Sequence, residues 1–354
     1  MKRRTFLKSA GGIATGLAIH SLSGCEQSLS KKQDMVAGLP RRVLGRTGEK
    51  VSIVGFPGLA LSHYDQEECN AGLLDAFERG VNYYDVAPAY GKDGDCEKKM
   101  GIGLEAVNIK RSSIFLACKT KMRDKEGARS ELERSLKRLK TEYFDLYQMH
   151  HLRTPEEVKQ ALGPGGAIET FLEAKKEGKV RYLGFSAHTT KGALDAMNGF
   201  RFDTAMFPIN FVEFFKMGFG EPVLELANKQ GVAVLAIKPL SKGPWPEGAE
   251  RTRKWWYRAT ESQDETNLAM RFTLSKKPVV AGIPPSFLDL LDKAIEAGRS
   301  YRPIKEDETM KLQEIAKDCT SLFLREEQRV ARGDFSHSPI YADSPHECCP
   351  GAYT

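Results

Sequence analysis

Short apolar runs alternate with amphipathic stretches along most of this chain. The runs occur at residues 51–56, 81–85, 114–119, 145–149, 180–186, 203–207, 232–237 and 278–281, and each is typical of a buried strand. Apolar residues at helical spacing follow each run, at 66–79, 98–107, 125–139, 168–178, 191–197, 222–230, 265–275 and 287–297. Eight such units in about 250 residues predict a closed (β/α)8 barrel, a TIM barrel, rather than a doubly wound sheet.

Additional segments flank the predicted barrel. A hairpin is expected before it, because two short strand-like runs at 42–44 and 50–52 surround a glycine-containing turn. A long loop at 239–262 separates the seventh strand from its helix, and an extra C-terminal helix is expected at 306–329. The expected organisation is a targeting segment at 1–25, a tether at 26–40, the barrel at 41–300, and a C-terminal helix and loose tail at 301–354.

The composition is that of a globular protein. The chain has 354 residues, of which 41% are hydrophobic, and this is enough apolar material for a substantial core. The net charge is +6, but Lys2, Arg3, Arg4 and Lys8 contribute four of these charges before residue 25. The rest of the chain is therefore close to neutral, which argues against a nucleic-acid partner.

The first 25 residues are typical of an export signal. Arg3 and Arg4, followed by Phe-Leu-Lys, resemble the twin-arginine pattern, and the apolar run at 10–22 is shorter than the roughly 20 residues of a spanning helix. Leu-Ser-Gly-Cys at 22–25 resembles a bacterial lipobox, which makes Cys25 the expected lipidation site. These features predict a periplasmic lipoprotein that uses the twin-arginine export machinery and meets the membrane only through its signal or lipid anchor. A basic tail without a targeting role is the alternative.

Six cysteines remain beyond Cys25, at positions 69, 96, 118, 319, 348 and 349. An oxidising compartment would allow three disulfides, but spacing alone does not choose the pairs. Cys118 lies inside an apolar run and is expected to be a buried thiol. None of the spacings is that of a zinc site, and no metal site is predicted.

Polar residues end three consecutive predicted strands. Asp85 ends the second strand, Lys119 the third and His150 the fourth, while Tyr90 follows Asp85 after a tight loop in the stretch 82–91. A barrel brings the carboxyl ends of all its strands to one rim. The four side chains are therefore expected to form one site.

This combination is suited to proton transfer to a carbonyl group. The phenol of Tyr90 has a reference pKa of about 10, and a Lys119 cation held by Asp85 would favour its phenolate. His150 can orient a carbonyl oxygen by a hydrogen bond. Reduction also needs a hydride, which no side chain supplies, so a nicotinamide cofactor is expected. The alternatives are a structural Asp85–Lys119 ion pair, a packed Tyr90, and His151 in place of His150.

Four groups of residues resemble the aldo-keto reductase superfamily over residues 42–297. They are Leu-Gly-Arg-Thr-Gly at 44–48 with Val-Ser at 51–52, Asn-Tyr-Tyr-Asp at 82–85 with Ala-Tyr-Gly at 89–91, Cys-Lys-Thr at 118–120, and Asp-Leu-Tyr at 145–147 with His150. The resemblance implies that Asp85, Tyr90, Lys119 and His150 are the family's catalytic tetrad. It also implies reduction of aldehydes or ketones, sugar-derived ones among them, with NADP(H) as the family default and NAD(H) as an alternative.

The resemblance further implies a cofactor site. The segment at 184–188 would grip the nicotinamide amide, residues 238–240 would follow the pyrophosphate, and a helix from residue 286 would bind an adenosine phosphate at its N-terminus. Two departures concern this site: Pro57 stands where glycine is usual, and no arginine for a 2′-phosphate is evident. The implied cofactor contacts are Gly58, Ser186, His188, Asn210, Lys238, Pro239, Leu240, Ser241, Ser286 and Lys293.

The loop after the seventh strand holds three consecutive aromatic residues. They are expected to form a wall of the substrate pocket or, alternatively, a latch that packs the loop, and they are Trp255, Trp256 and Tyr257.

The sequence also bears on an iron–sulfur cluster and on two alternative functions. The segments at 184–188 and 238–240 resemble a family branch whose members often carry C-terminal iron–sulfur cysteine motifs, but Cys319, Cys348 and Cys349 lack the cluster spacing, so no cluster is expected. A non-catalytic nucleotide-binding or interaction protein on the same barrel is an alternative function. A metal-dependent hydrolase is a second alternative, and its histidines would be His150, His151 and His188.

Overall fold

The computed structural model describes residues 34–335. The expected targeting segment with Cys25, most of the expected tether, Cys348, Cys349 and nearly all of the expected tail lie outside the described residues. None of the helices within 34–335 combines the length and the apolar character that a bilayer crossing needs.

A three-stranded antiparallel sheet precedes the barrel. Its strands are β1 (Met35–Val36), β2 (Leu39–Val43) and β3 (Lys50–Ser52), with β2 in the centre. The expected hairpin is present as β2 and β3, but residues 35–40 belong to this sheet, which corrects the expectation of a tether up to residue 40. The reason is local: Ala37 and Gly38 adopt positive φ angles of 49° and 79° in a tight turn, and Leu39 after them is fully buried.

Eight parallel strands confirm the predicted (β/α)8 barrel. Each strand pairs with its neighbours in chain order, and a bridge between Val54 and Gly282 joins the first strand to the last, which closes the sheet. The barrel strands are β4 (Gly55–Pro57), β5 (Tyr83–Asp85), β6 (Phe115–Thr120), β7 (Phe144–Leu152), β8 (Val180–Ala187), β9 (Thr204–Pro208), β10 (Ala233–Ile237) and β11 (Val279–Ile283).

Helices cover the outside of the barrel. Polar residues at the loop ends start several of them, for example Asp65, whose side chain accepts a hydrogen bond from the Glu68 backbone in a reciprocal capping box. The helices are α1 (Gln66–Glu78), α2 (Asp95–Ala106), α3 (Lys125–Arg138), α4 (Pro155–Leu162), α5 (Ala167–Lys176), α6 (Thr190–Gly199), α7 (Phe211–Met217), α8 (Glu221–Gln230), α9 (Gln263–Ser275), α10 (Leu288–Arg299), α11 (Glu306–Lys317) and α12 (Leu324–Ala331).

The helices differ from the sequence expectations at a few places. Helices α4 and α7 were not expected, and α2 begins three residues before its expected start. The single helix expected at 306–329 is divided into α11 and α12, because the chain between them is held by Glu213 of α7. The Glu213 carboxylate accepts hydrogen bonds from the Leu322 backbone N–H at 2.7 Å and from the Ser321 hydroxyl.

The core has two layers. The larger layer lies between strands and helices, and a smaller cluster fills the inside of the barrel with residues such as Tyr83, Phe115 and Leu235. The four described cysteines, at 69, 96, 118 and 319, are buried and free, so no disulfide forms among them.

Candidate active site

The four residues of the expected tetrad converge at the carboxyl-terminal rim of the barrel. Asp85 is the last residue of β5, Lys119 lies near the end of β6, and His150 lies near the end of β7, and these strands are neighbours in the sheet. Tyr90 lies in the loop after β5 and is half-buried beside them. Strand order alone therefore brings together side chains that are up to 65 positions apart in the sequence.

Lys119 is the centre of this group. Its fully buried ammonium donates to the carboxylate oxygen Oδ1 of Asp85, lies 3.2 Å from the Tyr90 hydroxyl, and lies 3.4 Å from the backbone oxygen of Val86. The Tyr90 hydroxyl is 3.5 Å from the same Asp85 oxygen, and Tyr83 approaches the other oxygen at 3.4 Å. All three ammonium protons of Lys119 thus have acceptors in the tetrad or the adjoining backbone.

His150 faces Tyr90, whereas His151 faces away from it. The His150 and Tyr90 rings are 5.6 Å apart and nearly perpendicular. The backbone at His151 has a positive φ of 61°, its N–H donates to the Ser186 hydroxyl at 2.8 Å, and its ring lies 4.3 Å from the ring of His188. The strained backbone at His151 turns the two adjacent histidines to different parts of the site.

The tyrosine is a protonated acid at neutral pH. Burial, together with the negative charge of Asp85, raises the pKa of Tyr90 well above its usual range. Burial also raises the pKa of Asp85, while the Lys119 ammonium opposes that rise. Sequence reasoning considered Lys119 as the neighbour of Tyr90 and expected a shift toward the phenolate. In the structure, burial of Tyr90 and the Asp85 carboxylate beside its hydroxyl raise the pKa instead of lowering it.

A cleft of about 600 Å³ opens above the tetrad. Asp85, Tyr90 and His150 lie at its base, and Lys119 lies beneath them. The expected cofactor and substrate residues that line this cleft are Gly58, Ser186, His188, Lys238, Ser286, Trp255, Trp256 and Tyr257.

Five of the expected cofactor contacts do not line the cleft. Asn210 caps α7 by accepting a hydrogen bond from the Glu213 backbone at 3.0 Å, and Ser241 accepts one from the Gly243 backbone at 3.2 Å. Lys293 lies on α10 with its ammonium 3.7 Å from Asp289. The other two expected contacts that do not line the cleft are Pro239 and Leu240, which are buried and directly precede Ser241.

Lys238 forms part of the opposite wall of the cleft. Its backbone has a positive φ of 57°, and its ammonium lies 3.3 Å from Nε2 of His188 and 5.4 Å from the centre of the Trp256 ring. Burial lowers the pKa of Lys238 to about 7, and the charge of Glu213 opposes this shift. Burial likewise raises the pKa of Glu213 to about 7.

Two residues near the cleft were missed by the sequence reasoning. Phe323, from the chain between α11 and α12, lies 5.8 Å from the His188 ring and 5.7 Å from the Lys238 ammonium. It was hidden inside a stretch with helical periodicity. Arg253, from the long loop after β10, lies over the Phe287 ring at 4.6 Å and pairs with Glu261 and Asp289. No pattern in the loop distinguished this arginine.

The helix expected to bind a phosphate begins later than predicted. Phe287 is the N-cap of α10 and provides no side-chain hydrogen bond, and Ser286 precedes it on the cleft wall. Within residues 34–335, no group of three histidine, cysteine or carboxylate side chains is arranged to hold a metal ion.

Comparison with known proteins agrees with this architecture. The Aldo/keto reductase family model matches residues 54–317. The chain is 33% identical to L-galactose dehydrogenase of Arabidopsis thaliana over 156 residues, which are 41% of this chain and 47% of that protein. It is 25% identical over 311 residues to the uncharacterized oxidoreductase YqkF of Bacillus subtilis, covering 78% of this chain and 96% of that protein.

A solved structure shows the same fold. The holo form of aldo-keto reductase AKR11C1 from Bacillus halodurans superposes with a TM-score of 0.65 at 24% identity, covering 82% of this chain and 99% of that one. Because the family model covers most of the chain, this protein belongs to the aldo/keto reductase family, whose members are oxidoreductases acting on carbonyl compounds and generally use NAD(P)H.

Proposed function

We propose that this protein reduces aldehydes or ketones, sugar-derived ones among them, with Tyr90 as the proton donor. The observation that carries the proposal is the contact of Tyr90 with Lys119 and Asp85 at the base of an open cleft. A protonated phenol that faces a cleft can donate to a carbonyl oxygen, and a cation beside it stabilises the phenolate that remains. His150 is placed to donate a hydrogen bond to the same oxygen.

The cleft also suits a nicotinamide dinucleotide. It extends from Gly58 to Ser286, beside the N-terminus of α10, where the backbone N–H of Leu288 already donates to the Tyr64 hydroxyl at 3.1 Å. When bound there, the nicotinamide would supply the hydride. Ser186, His188 and Ser286 are the lining residues proposed to hold it.

We propose NADP(H) as the cofactor, with NAD(H) as the alternative. Arg253 supplies a cation at the start of α10 for a 2′-phosphate, which the sequence alone did not offer. Its pairing with Glu261 and Asp289 weakens the attraction, since both acids would compete with the phosphate. Replacement of Arg253 by Met should raise the dissociation constant of NADPH by about tenfold and leave that of NADH within about threefold.

The function is tested with purified protein in two steps. Fluorescence titration with NADPH and NADH measures cofactor binding, and a panel of aldehydes, ketones and sugars then measures turnover with the tighter cofactor. Cofactor binding together with carbonyl turnover supports the proposal. Tight binding without turnover of any carbonyl favours the non-catalytic nucleotide-binding alternative, for which Pro57 on the cleft wall is the supporting observation.

Export and lipid anchoring are a separate proposal, which the N-terminal pattern supports. Replacement of Arg3 and Arg4 by Lys should keep the protein in the cytoplasmic fraction. Replacement of Cys25 by Ser should release it from membranes to the soluble exported fraction. Unchanged fractionation of both variants would contradict the proposal.

A further inference from the structure

A β-bulge lies at the end of β7, where the two adjacent histidines stand. The pairing of β7 with β8 shifts its register within residues 149–152, because three steps along β7 match two steps along β8. The extra residue falls at His150 and His151, and His151 has the positive φ of 61°. Bulges at the rims of barrels change the direction in which side chains point. This bulge accompanies the different directions of the two rings, since His150 faces Tyr90 and His151 faces His188.

Two side chains from neighbouring segments bind the peptide groups of the bulge. The His151 N–H donates to the Ser186 hydroxyl at 2.8 Å. The carbonyl oxygens of His150 and His151 accept hydrogen bonds from one guanidinium nitrogen of Arg123, Nη2, at 2.8 Å and 3.3 Å. Both histidines are at most 4% exposed, so water would be a poor substitute for these donors. Arg123 therefore fixes both carbonyl groups of the bulge at once.

Arg123 is itself held in place. It lies in the loop between β6 and α3, and its backbone oxygen accepts a hydrogen bond from the Ala167 N–H at 2.9 Å. Its side chain is 13% exposed, and Nη2 lies 3.5 Å from the carboxylate of Glu157 on α4. That carboxylate accepts a hydrogen bond from the Arg153 backbone N–H at 2.9 Å. The nitrogen that binds the two carbonyl groups is thus also paired with an anchored acid.

The position of His150 matters for the chemistry at Tyr90. Their rings are 5.6 Å apart and nearly perpendicular, and in the proposed reduction both side chains donate to one carbonyl oxygen. Misplacement of such a group by about 1 Å can lower the rate by about 100-fold. The strained backbone at His151 persists only where surrounding contacts hold it. Arg123 supplies two of these contacts.

We propose that Arg123 is a positioning residue of the reduction, which holds the β7 bulge so that His150 and Tyr90 reach the same carbonyl oxygen. This inference rests on the proposed function and assigns a role in it to a residue outside the tetrad. Arg123 does not line the cleft, so its effect passes through the backbone of β7. The competing role is purely structural, with Arg123 only tying its loop to α4 through Glu157.

Arg123→Met is compared with Arg153→Met as the matched control. Arg153 is also buried and pairs with the same Glu157 at 3.5 Å and with Glu326 at 3.6 Å, but its guanidinium does not bind the bulge. Arg123→Met should lower kcat by about 30-fold and leave the dissociation constant of NADPH within about threefold. Arg153→Met should lower kcat by less than about threefold. Equal kcat values for the two variants would overturn the inference.

A conservative variant and a double-mutant cycle separate positioning from folding. Arg123→Lys retains a cationic donor on a shorter side chain and should lose only about fivefold in kcat. In a His150→Ala background, replacement of Arg123 by Met or by Lys should lower kcat by less than about threefold, because the group that it positions is gone. The same loss with and without His150 would overturn the inference. If Arg123→Met does not fold, the cycle with Arg123→Lys decides.

A structural measurement tests the inference without turnover. In crystal structures, the His150 ring should move by at least about 1 Å relative to Tyr90 in Arg123→Met and keep its position in Arg153→Met. An unmoved His150 ring in Arg123→Met would overturn the inference. Absence of wild-type turnover on every carbonyl would instead overturn the proposed function, and the position of the ring would still show whether Arg123 holds the bulge.

Discussion

Two buried lysines belong to the site, Lys119 beneath the base of the cleft and Lys238 on its wall, and they are in different electrostatic states. Lys119 donates hydrogen bonds to Asp85, to the Tyr90 hydroxyl and to the Val86 backbone oxygen, and the Asp85 carboxylate balances its charge. Among residues 34–335, Lys238 has a polar contact with His188 and lies near two aromatic rings, and burial lowers its pKa to about 7. The Lys119 side is suited to chemistry, whereas Lys238, on the segment expected to contact the cofactor, is suited to binding.

The largest expected effect concerns Tyr90, beside Lys119 and Asp85. Tyr90→Phe removes the proton donor and should lower kcat by about 10³-fold, while the dissociation constant of NADPH stays within about threefold. Tyr83→Phe is the matched control, because that hydroxyl also approaches Asp85 but lies inside the barrel. Its kcat should fall by less than about tenfold. Equal losses in the two variants would show that the tetrad does not act through Tyr90.

The two lysines should also differ in what they contribute to folding. Asp85→Asn leaves the Lys119 charge buried without its partner and should lower the free energy of unfolding by about 3 kcal/mol. Lys238→Met breaks no ion pair of the described residues and should change it by less than about 1 kcal/mol. Urea unfolding at pH 7 measures both values. A larger loss for Lys238→Met than for Asp85→Asn would reverse the comparison.

The pH dependence of turnover distinguishes the two sides further. Because the pKa of Lys238 is about 7, the ammonium loses its charge as pH rises through that value. For NADPH as the varied substrate, kcat/KM should therefore fall by up to about tenfold per pH unit above pH 7, and in Lys238→Met this decline should be absent. Glu213 and His188 are the other titratable groups around Lys238. Glu213→Gln removes the acid that raises the pKa of Lys238, so it should shift the decline to lower pH.

The smallest expected effect concerns the aromatic cover of Lys238. Trp256→Leu admits water to the Lys238 ammonium and should raise the KM for NADPH by about threefold. Trp245→Leu is the control, because the indole of Trp245 donates to the Trp255 backbone and does not line the cleft. A lower KM for NADPH in Trp256→Leu would show that the ring does not shield the ammonium.

The barrel and the catalytic side could be predicted from the sequence for simple physical reasons. Strand and helix periodicity repeats eight times in about 250 residues, which is typical of a closed barrel, and closure leaves no strand at an edge of the sheet. Asp85, Lys119 and His150 end consecutive strands, so closure alone makes them neighbours. The direction of the Tyr90 pKa shift could not be predicted, because it depends on the distance to Asp85 and on burial rather than on the types of residue present.

The binding side was less accessible to sequence reasoning. Phe323 lies beside His188 and Lys238 because Glu213 holds the preceding residues, and this contact spans more than 100 positions of sequence. The burial and the lowered pKa of Lys238 depend on which side chains surround it. The family resemblance indicated only that its segment borders the cofactor. Residues 35–40 were assigned to the tether, since two short strands with one turn give almost no periodic signal.

The most direct test of the central claim follows hydrogen isotopes through one turnover. Wild-type protein is incubated with a carbonyl substrate and NADPH deuterated at C4, using each of the two stereoisomers, and the alcohol is analysed by mass spectrometry. Proton donation by Tyr90 to oxygen with hydride delivery to carbon predicts one non-exchangeable deuterium in the alcohol from one of the two stereoisomers. The same experiment with Tyr90→Phe should give at most about one thousandth of the product rate. An alcohol without deuterium from either stereoisomer, or a full rate in Tyr90→Phe, would contradict the account.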